Sequence, residues 1–263
     1  MTTPKLSGML LCAGIGTRLM PLTKEWPKCL MPINKIPLLD YWLKTFDDLN
    51  ITDVLVNTHH HSEKIHEFLE RPKYSSRVSI SHEKILLGTA GTLSKNKNFF
   101  KNRMVLVAHA DNLCQCDFKS FLNFHLKKRS NGCLITMMTF QTDNPKACGI
   151  IKQNKNNIVE EFYEKVETPP GNIANGAVYI MEPDVIDWIN NNKDKTDIST
   201  EIIPNFLGKI AAWHNNEVHR DIGSPVSLKL AQREAKKITF EHINDDWQIM
   251  FNKNKIHNLV NNL

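Results

Sequence analysis

The sequence predicts an α/β protein in which a parallel sheet carries helices on both faces. Two observations carry that expectation. Short continuous apolar runs recur, as strands buried on both faces require, and stretches with apolar residues at helical spacing alternate with them. A third observation points toward function. The glycine loop at Gly14 and the acid at Asp111 each follow such a run, and ligands of open α/β sheets bind beyond the carboxyl ends of the strands.

Met9, Leu10 and Leu11 with Cys12 and Ala13 form the first buried strand, and a glycine-containing loop follows. Leu39, Trp42, Leu43, Phe46 and Leu49 then recur at helical spacing. Residues 53–57, with Val54, Leu55 and Val56, read as the next strand, and Ile65, Phe68 and Leu69 mark another amphipathic helix. A strand over 78–82, a helix over 90–97 and a buried strand over 104–108 come next, followed by a helix carrying Phe118, Phe121, Leu122 and Leu126. Beyond Cys133 the pattern changes. Strands are expected over 134–140, 149–152, 158–162 and 174–181, with turn-prone Asn154 to Asn157 between two of them. Helices are expected over 183–191, 199–207 and 225–236, and the Asn- and Lys-rich tail from Ile238 ends in a helix. No internal repeat and no low-complexity linker interrupts the chain.

A chain of 263 residues suits one large α/β domain, or a domain with a modest appendage, and 41% hydrophobic residues are enough for a sizeable core. No apolar run of about 18 residues occurs, so no membrane-spanning helix is expected. Residues 1–8 lack the pattern of a secretory leader, which points to the cytoplasm. The net charge of +5 is mild and scattered. Its one short basic run, Lys127-Lys128-Arg129, reads as the solvated end of a helix rather than a nucleic-acid surface. Six cysteines without a CxxC pair read as reduced core thiols. Cys114 and Cys116 near His109 lack the second spaced pair that zinc needs. His59, His60 and His61 follow a strand and lead into a helix, so loop and helix-entry roles are expected of them.

The most informative segment runs from Leu11-Cys12-Ala13-Gly14-Ile15-Gly16-Thr17-Arg18-Leu19 to Pro27-Lys28-Cys29-Leu30. Two nearby glycines let a backbone pass close to a phosphate and aim several N–H groups at it. Leu19 holds the third glycine position of a dinucleotide fingerprint and no helix is expected to begin there; no Gly-Lys-Ser/Thr follows, as a P-loop would need. Instead the segment adds two long cations, Arg18 and Lys28, which suit a triphosphate.

Residues 14–32 resemble the signature of the sugar-1-phosphate nucleotidylyltransferases, GxGTRLxPLTxxxPKxLxP. The resemblance implies a Rossmann-like, doubly wound mixed sheet of the nucleotide-diphospho-sugar transferase type with a sugar-binding subregion. It implies that the nucleotide lies against Leu11, Ala13, Gly14, Gly16 and Thr17, that Arg18 contacts the triphosphate and that Lys28 stabilises the reacting phosphate. Cys12 stands where a small Ala or Gly is usual.

Gly88-Thr89-Ala90-Gly91, five residues after Glu83, resembles the base-reading loop of mannose-1-phosphate guanylyltransferases. Guanine presents two adjacent donors on its Watson–Crick edge, and one carboxylate accepts both, so Glu83 facing the base would favour GTP. The alternative for Glu83 is an exposed surface side chain. Asp111 directly follows a buried strand in Val105-Leu106-Val107-Ala108-His109-Ala110-Asp111, where the family has Gly-Asp; the alternative is a helix N-cap. Asp221-Ile222-Gly223-Ser224-Pro225 resembles the family's second metal-carboxylate element, although a turn before a Pro-started helix would explain all but the Asp. The two acids together would hold Mg²⁺, the expected cofactor. Gly149, Glu164, Lys165 and Asn175 resemble the sugar half, Lys165 on the sugar phosphate and the others on the sugar.

The resemblance covers about residues 7–235. It makes 1–263 a single nucleotidylyltransferase domain, with a nucleotide-binding part over 1–130, a sugar-binding part over 131–235 and a helical tail over 236–263. The expected reaction transfers GMP from GTP to a sugar 1-phosphate, mannose 1-phosphate first, and releases pyrophosphate. The partners are those two substrates, with no nucleic acid and no membrane, and a homo-oligomer is left open. Uridylyl, thymidylyl or cytidylyl transfer to another hexose or heptose 1-phosphate is the alternative within the class. A nicotinamide oxidoreductase would need the absent GxGxxG, and a non-catalytic nucleotide-sugar-binding regulatory subunit would be expected to have lost an acid or Lys28.

Overall fold

Strands form where the sequence offers β-branched and apolar runs, and helices where its apolar residues recur at 3.6-residue spacing. The computed structural model describes residues 4–240 and 245–263. Its strands are β1 (Leu6–Leu11), β2 (Pro32–Ile33), β3 (Ile36–Pro37), β4 (Val54–Thr58), β5 (Val78–His82), β6 (Met104–His109) and β7 (Asn112–Gln115). They continue with β8 (Ile135–Gln141), β9 (Gly149–Gln153), β10 (Val159–Glu164), β11 (Ile173–Met181), β12 (Ile210–His214) and β13 (Val218–Asp221). The described residues form two compact units. One comprises the residues up to Met9 with Leu87–Ala108 and Cys116–Glu217; the other comprises Leu10–Leu86, His109–Gln115 and the residues from Val218 onward.

In the first unit β10, β9, β11 and β6 follow in that order, β8 pairs with β11, and β12 pairs with β8. β11 runs antiparallel to β6, β8 and β9, whereas β12 is parallel to β8, so the sheet is mixed as expected. Val105, Leu106, Val107 and Ala108 are wholly buried, which is why their run carries no polar alternation. β10 ends that order, and its sequence VEEFYE buries only Val159.

In the second unit the end of β1, then β4, then β5 follow in order. β4 and β5 pair in parallel from Val54↔Val78 to Thr58↔His82. β4 is buried throughout, while β5 at the end of the order buries Ser81 alone. Helix Leu38–Asp48 buries Leu39, Trp42, Leu43 and Phe46, the expected stripe, and Trp42 Nε1 donates to Asn112 O at 2.9 Å. The tail packs here too, through helices Asp246–Asn252 and Ile256–Asn261. Trp247 stacks on Phe251 at 4.9 Å, and Arg71 Nε donates to Asp245 Oδ2 at 2.7 Å. Residues 1–3 of the segment examined for a leader and residues 241–244 of the tail lie outside the described residues.

Three local expectations need correction. The helix expected over 199–207 is a π-helical turn, Ile198–Ile202, followed by a 3₁₀ turn, Ile203–Phe206, because Pro204 has no N–H to continue an α-helix. The helix of Phe118 ends as an α-helix at Asn123 and continues as a π-helical turn, Phe124–Lys128. At its end Lys127 and Lys128 are exposed as expected, but Arg129 folds back to pair with Glu182. Among the described residues no helix is long and apolar enough to cross a membrane.

Candidate active site

The signature loop leaves β1 in the second unit. Gly16 turns with φ +70°, and Leu19 N donates to Gly16 O at 3.0 Å, so Thr17–Leu19 form one 3₁₀ turn where no helix was expected. Thr23 braces the loop, its hydroxyl donating to Gly16 O at 2.9 Å. Thr23 O in turn accepts from His60 Nε2 at 3.2 Å and His61 Nε2 at 2.9 Å, and His61 caps helix Ser62–Leu69, in keeping with loop and helix-entry roles.

Two short strands absent from the sequence reading bring the acids together. β7 pairs antiparallel with β13 in the register Asn112↔Asp221, and Ile222 N donates to Asp111 O at 3.3 Å. Asp111, in the turn just before β7, and Asp221, the last residue of β13, thus lie at the same end of this ladder. Lys28 Nζ donates to Asp111 Oδ2 at 2.8 Å and to Asp221 Oδ1 at 2.7 Å, and Arg18 Nη2 donates to Asp221 Oδ2 at 3.1 Å. The lysine side chain is 7% exposed, against 36% for Asp111, 45% for Asp221 and 72% for Arg18. Burial alone would depress the ammonium pKa, but the two carboxylates outweigh burial and hold it above its ordinary value. Burial would raise the Asp111 carboxyl; Lys28 and His109 outweigh it and hold the group below the usual carboxylate range. Lys28 and Asp111 therefore stay charged at neutral pH.

Gly223 leaves room beside this cluster. A Cβ there would meet Asp221 Oδ2 at 2.6 Å and Arg18 Nη2 at 2.7 Å, so any side chain would push the pair apart. The following Ser224 caps helix Pro225–Glu234 through a capping box with Ser227. Asp111 has no such duty, since the next helix, Phe118–Asn123, takes Asp117 as its N-cap. Among the described residues no three His, Cys, Asp or Glu side chains are placed to hold a metal ion. The two carboxylates nevertheless suit Mg²⁺, a hard cation that is often held by one or two carboxylates with substrate phosphates supplying further oxygens.

Leu11 and Ala13 are buried, and Glu83 is buried as well, at 1% exposure, so it is not a surface side chain. Its Oε1 accepts from Asn57 Nδ2 at 3.0 Å. Asn57 escaped the sequence reading because a polar residue at the end of an apolar strand carries no distinguishing signal.

In the first unit, Gly88 caps helix Thr89–Lys95, whose Ala90 N donates to Thr196 O at 2.8 Å. Thr89 Oγ1 accepts from Ile198 N at 2.7 Å. Gly149 and Glu164 are register partners of β9 and β10. A Cβ at Gly149 would meet Glu164 Oε2 and Phe162 Cζ, each at 2.5 Å, so any side chain there would displace both. Lys165 pairs with Glu164 at 2.9 Å and leaves 64% of its side chain exposed. Asn175 Nδ2 donates to the buried Tyr179 hydroxyl at 2.7 Å, and its Oδ1 accepts from Ala177 N at 3.0 Å. Gly149, Glu164 and Asn175 are thus gathered on adjoining strands of one unit, and Lys165 directly follows β10.

A loop built for close approach, with cations and acids beyond the strand ends of an α/β protein, fits a nucleotide-handling enzyme class. Residues 7–238 match the nucleotidyl transferase family, and the chain belongs to it. The match bears out the resemblance read from residues 14–32. Relatives include mannose-1-phosphate guanyltransferase 2 of Candida glabrata, 30% identical over 84% of this chain and 62% of the relative. Others are the mannose-1-phosphate guanyltransferase of Saccharomyces cerevisiae, 28% identical over 89% and 68%, and the guanylyltransferase of Mycobacterium tuberculosis, 28% identical over 86% and 63%. The chain thus spans between 62% and 68% of the length of these relatives. The fold is shared with a Bacillus anthracis protein assigned as a glucose-1-phosphate thymidylyltransferase and crystallised with a sucrose. The TM-score is 0.80 at 23% identity, over 90% of this chain and 98% of that one.

Proposed function

We propose that this chain transfers GMP from GTP to mannose 1-phosphate, forming a nucleotide sugar and pyrophosphate. The observation that carries the reading is the Lys28 ammonium bonded to both Asp111 and Asp221, with Arg18 on the second acid. A phosphoryl-transfer site must neutralise several phosphate charges at once, and this cluster sets two cations against two carboxylates suited to a metal ion. Family membership and the names of the relatives support the substrates.

In this reading an oxygen of the sugar phosphate attacks the α-phosphorus of the triphosphate; an O–P bond forms, the bond to the β-phosphate bridge breaks, and pyrophosphate leaves with the electron pair. The attacking group is already anionic, so no side chain needs to act as nucleophile or to remove a proton. Asp111 and Asp221 would hold Mg²⁺, which when bound supplies charge neutralisation at the phosphates. Lys28, whose raised pKa keeps it cationic, offsets charge on the transferred phosphoryl group, and Arg18 offsets charge on the triphosphate. Gly14, Gly16 and Thr17 give the nucleotide close backbone approach, and Lys165, Glu164, Gly149 and Asn175 orient the sugar phosphate.

The test is a pyrophosphate-release screen crossing GTP, UTP, dTTP and CTP with a panel of hexose and heptose 1-phosphates in Mg²⁺. The expected maximum is GTP with mannose 1-phosphate. A maximum at another pair would reassign the substrates within the class. Nucleotide binding with no release for any pair would overturn the enzymatic reading in favour of a regulatory subunit.

A further inference from the structure

Where β1 ends, its backbone can no longer be held by a strand ladder, yet the signature loop has to leave it in a fixed direction. The peptide that joins Leu11 to Cys12 is held from both sides. Its carbonyl, Leu11 O, accepts from Ala110 N at 3.1 Å, and its N–H, on Cys12, donates to Asn57 Oδ1 at 2.7 Å. Asn57 sits on β4 and is 3% exposed. Its other amide atom, Nδ2, donates to Glu83 Oε1. Glu83 is anchored in turn through its own backbone. Its N–H donates to Thr58 O at 2.8 Å, one residue past the β4–β5 ladder, and its carbonyl accepts from His59 Nδ1 at 2.8 Å.

The chemistry of this chain allows one orientation. A carboxylate only accepts and a backbone N–H only donates, so an amide between them is satisfied one way round. The reverse would set oxygen against oxygen and N–H against N–H in a buried setting, where unmet polar groups are costly.

We propose that Asn57 and Glu83 are positioning residues for the nucleotide loop. Glu83 fixes the sense of the Asn57 amide, and Asn57 pins the peptide from which Ala13–Thr17 depart. Through its Oε1 the Glu83 carboxylate thus aims the loop, and the contribution made through Asn57 applies equally to every nucleoside triphosphate. The inference rests on the reading that this loop carries the nucleotide.

The experiment uses the full chain and compares Asn57→Asp, Glu83→Gln and the two combined. Calorimetric titration with GTP and with UTP is read beside amide hydrogen exchange of the peptide segment containing Cys12. Asn57→Asp sets two carboxylates face to face, and affinity for both nucleotides should fall by about tenfold, the scale of one reversed buried hydrogen bond, while the segment exchanges faster. The combined variant restores a donor on residue 83 facing an acceptor on residue 57, and both readouts should return to within about threefold of wild type. Glu83→Gln alone can still accept from Asn57 Nδ2 through its amide oxygen, so exchange should stay near wild type and the GTP-to-UTP affinity ratio unchanged. A combined variant no better than Asn57→Asp would overturn the proposal. A shifted GTP-to-UTP ratio in Glu83→Gln with unchanged exchange would also overturn it and return the carboxylate to the base. A wild type that binds no triphosphate would defeat the functional reading instead, and exchange alone would still decide the positioning role. Should Asn57→Asp fail to fold, Glu83→Leu, which removes the acceptor facing Asn57 Nδ2, is measured instead, and unchanged exchange in it would be the overturning result.

Discussion

The two units gather their candidate residues in opposite ways. In the second unit Lys28 meets Asp111 across 83 residues of sequence and Asp221 across 193, and the ammonium is nearly buried. In the first unit Gly149 faces Glu164 by strand register, Asn175 reaches Tyr179 four residues on, and Lys165 stands largely in solvent. The contrast separates two kinds of work. An ion cluster centred on a buried lysine and built from distant segments is preorganised and can act on developing charge, which is where electrostatic catalysis gains most. An exposed lysine on a ladder of neighbouring strands is suited to hold an anionic substrate and contributes less to the reaction step.

The largest expected effect tests the cluster around Lys28. Asp111→Asn or Asp221→Asn should lower turnover by at least about 100-fold, the scale of losing one major electrostatic stabiliser, while circular dichroism stays native. Near-normal turnover in excess chelator would break the assignment of these acids to a metal. Next, Lys28→Ala should depress kcat by about 100-fold, whereas Lys165→Ala should chiefly raise KM for the sugar phosphate. Steady-state kinetics with both substrates varied would check this, and the opposite split would invert the comparison. Third, Gly149→Ala should cost about 1–3 kcal/mol in stability through the collision with Glu164 and Phe162 and raise KM for the sugar phosphate, leaving KM for GTP unchanged.

The smallest effect compares the units by pH. In the first unit, hydrogen bonds from His125 and Arg129 hold Glu182 at about 2, below its ordinary 4.5. Its contribution is complete above that ordinary value and is lost as pH falls toward 2. Burial lowers His125 below 6.5, so proton uptake by the unfolded chain disfavours folding as pH drops below that value. In the second unit, the lowered Asp111 carboxyl keeps its contribution until pH falls below about 3.8. In the second unit burial likewise lowers His219, to about 4, so hydrogen exchange measured between pH 7 and 4.5 should show both residues 116–217 and the β13 segment loosening. Loosening confined to residues 116–217 would break this expectation.

Much of the fold was legible because buried strands and amphipathic helices write their period directly into the chain. The strand over 78–82 and the helix over 183–191 end where the residues said they would. β7 and β13 were not legible. Each is four residues long, and polar Asn112, Gln115, His219 and Arg220 interrupt any apolar alternation. Those two strands decide that Asp111 and Asp221 become neighbours. Glu83 could be picked out by its distance from Gly88, but its burial and its bond to Asn57 could not, because both depend on the parallel pairing of β4 with β5.

The sequence by itself determined the class. Two glycines, two cations and their spacing from 14 to 32 are local facts, and local facts survive in a one-dimensional string. It also determined which acids were available. Tertiary structure decided which of those charges meet, how deeply each is buried and which way an amide must point. Charge pairing, burial and hydrogen-bond direction are properties of groups brought within a few ångströms by distant segments, and no spacing along the chain encodes that distance.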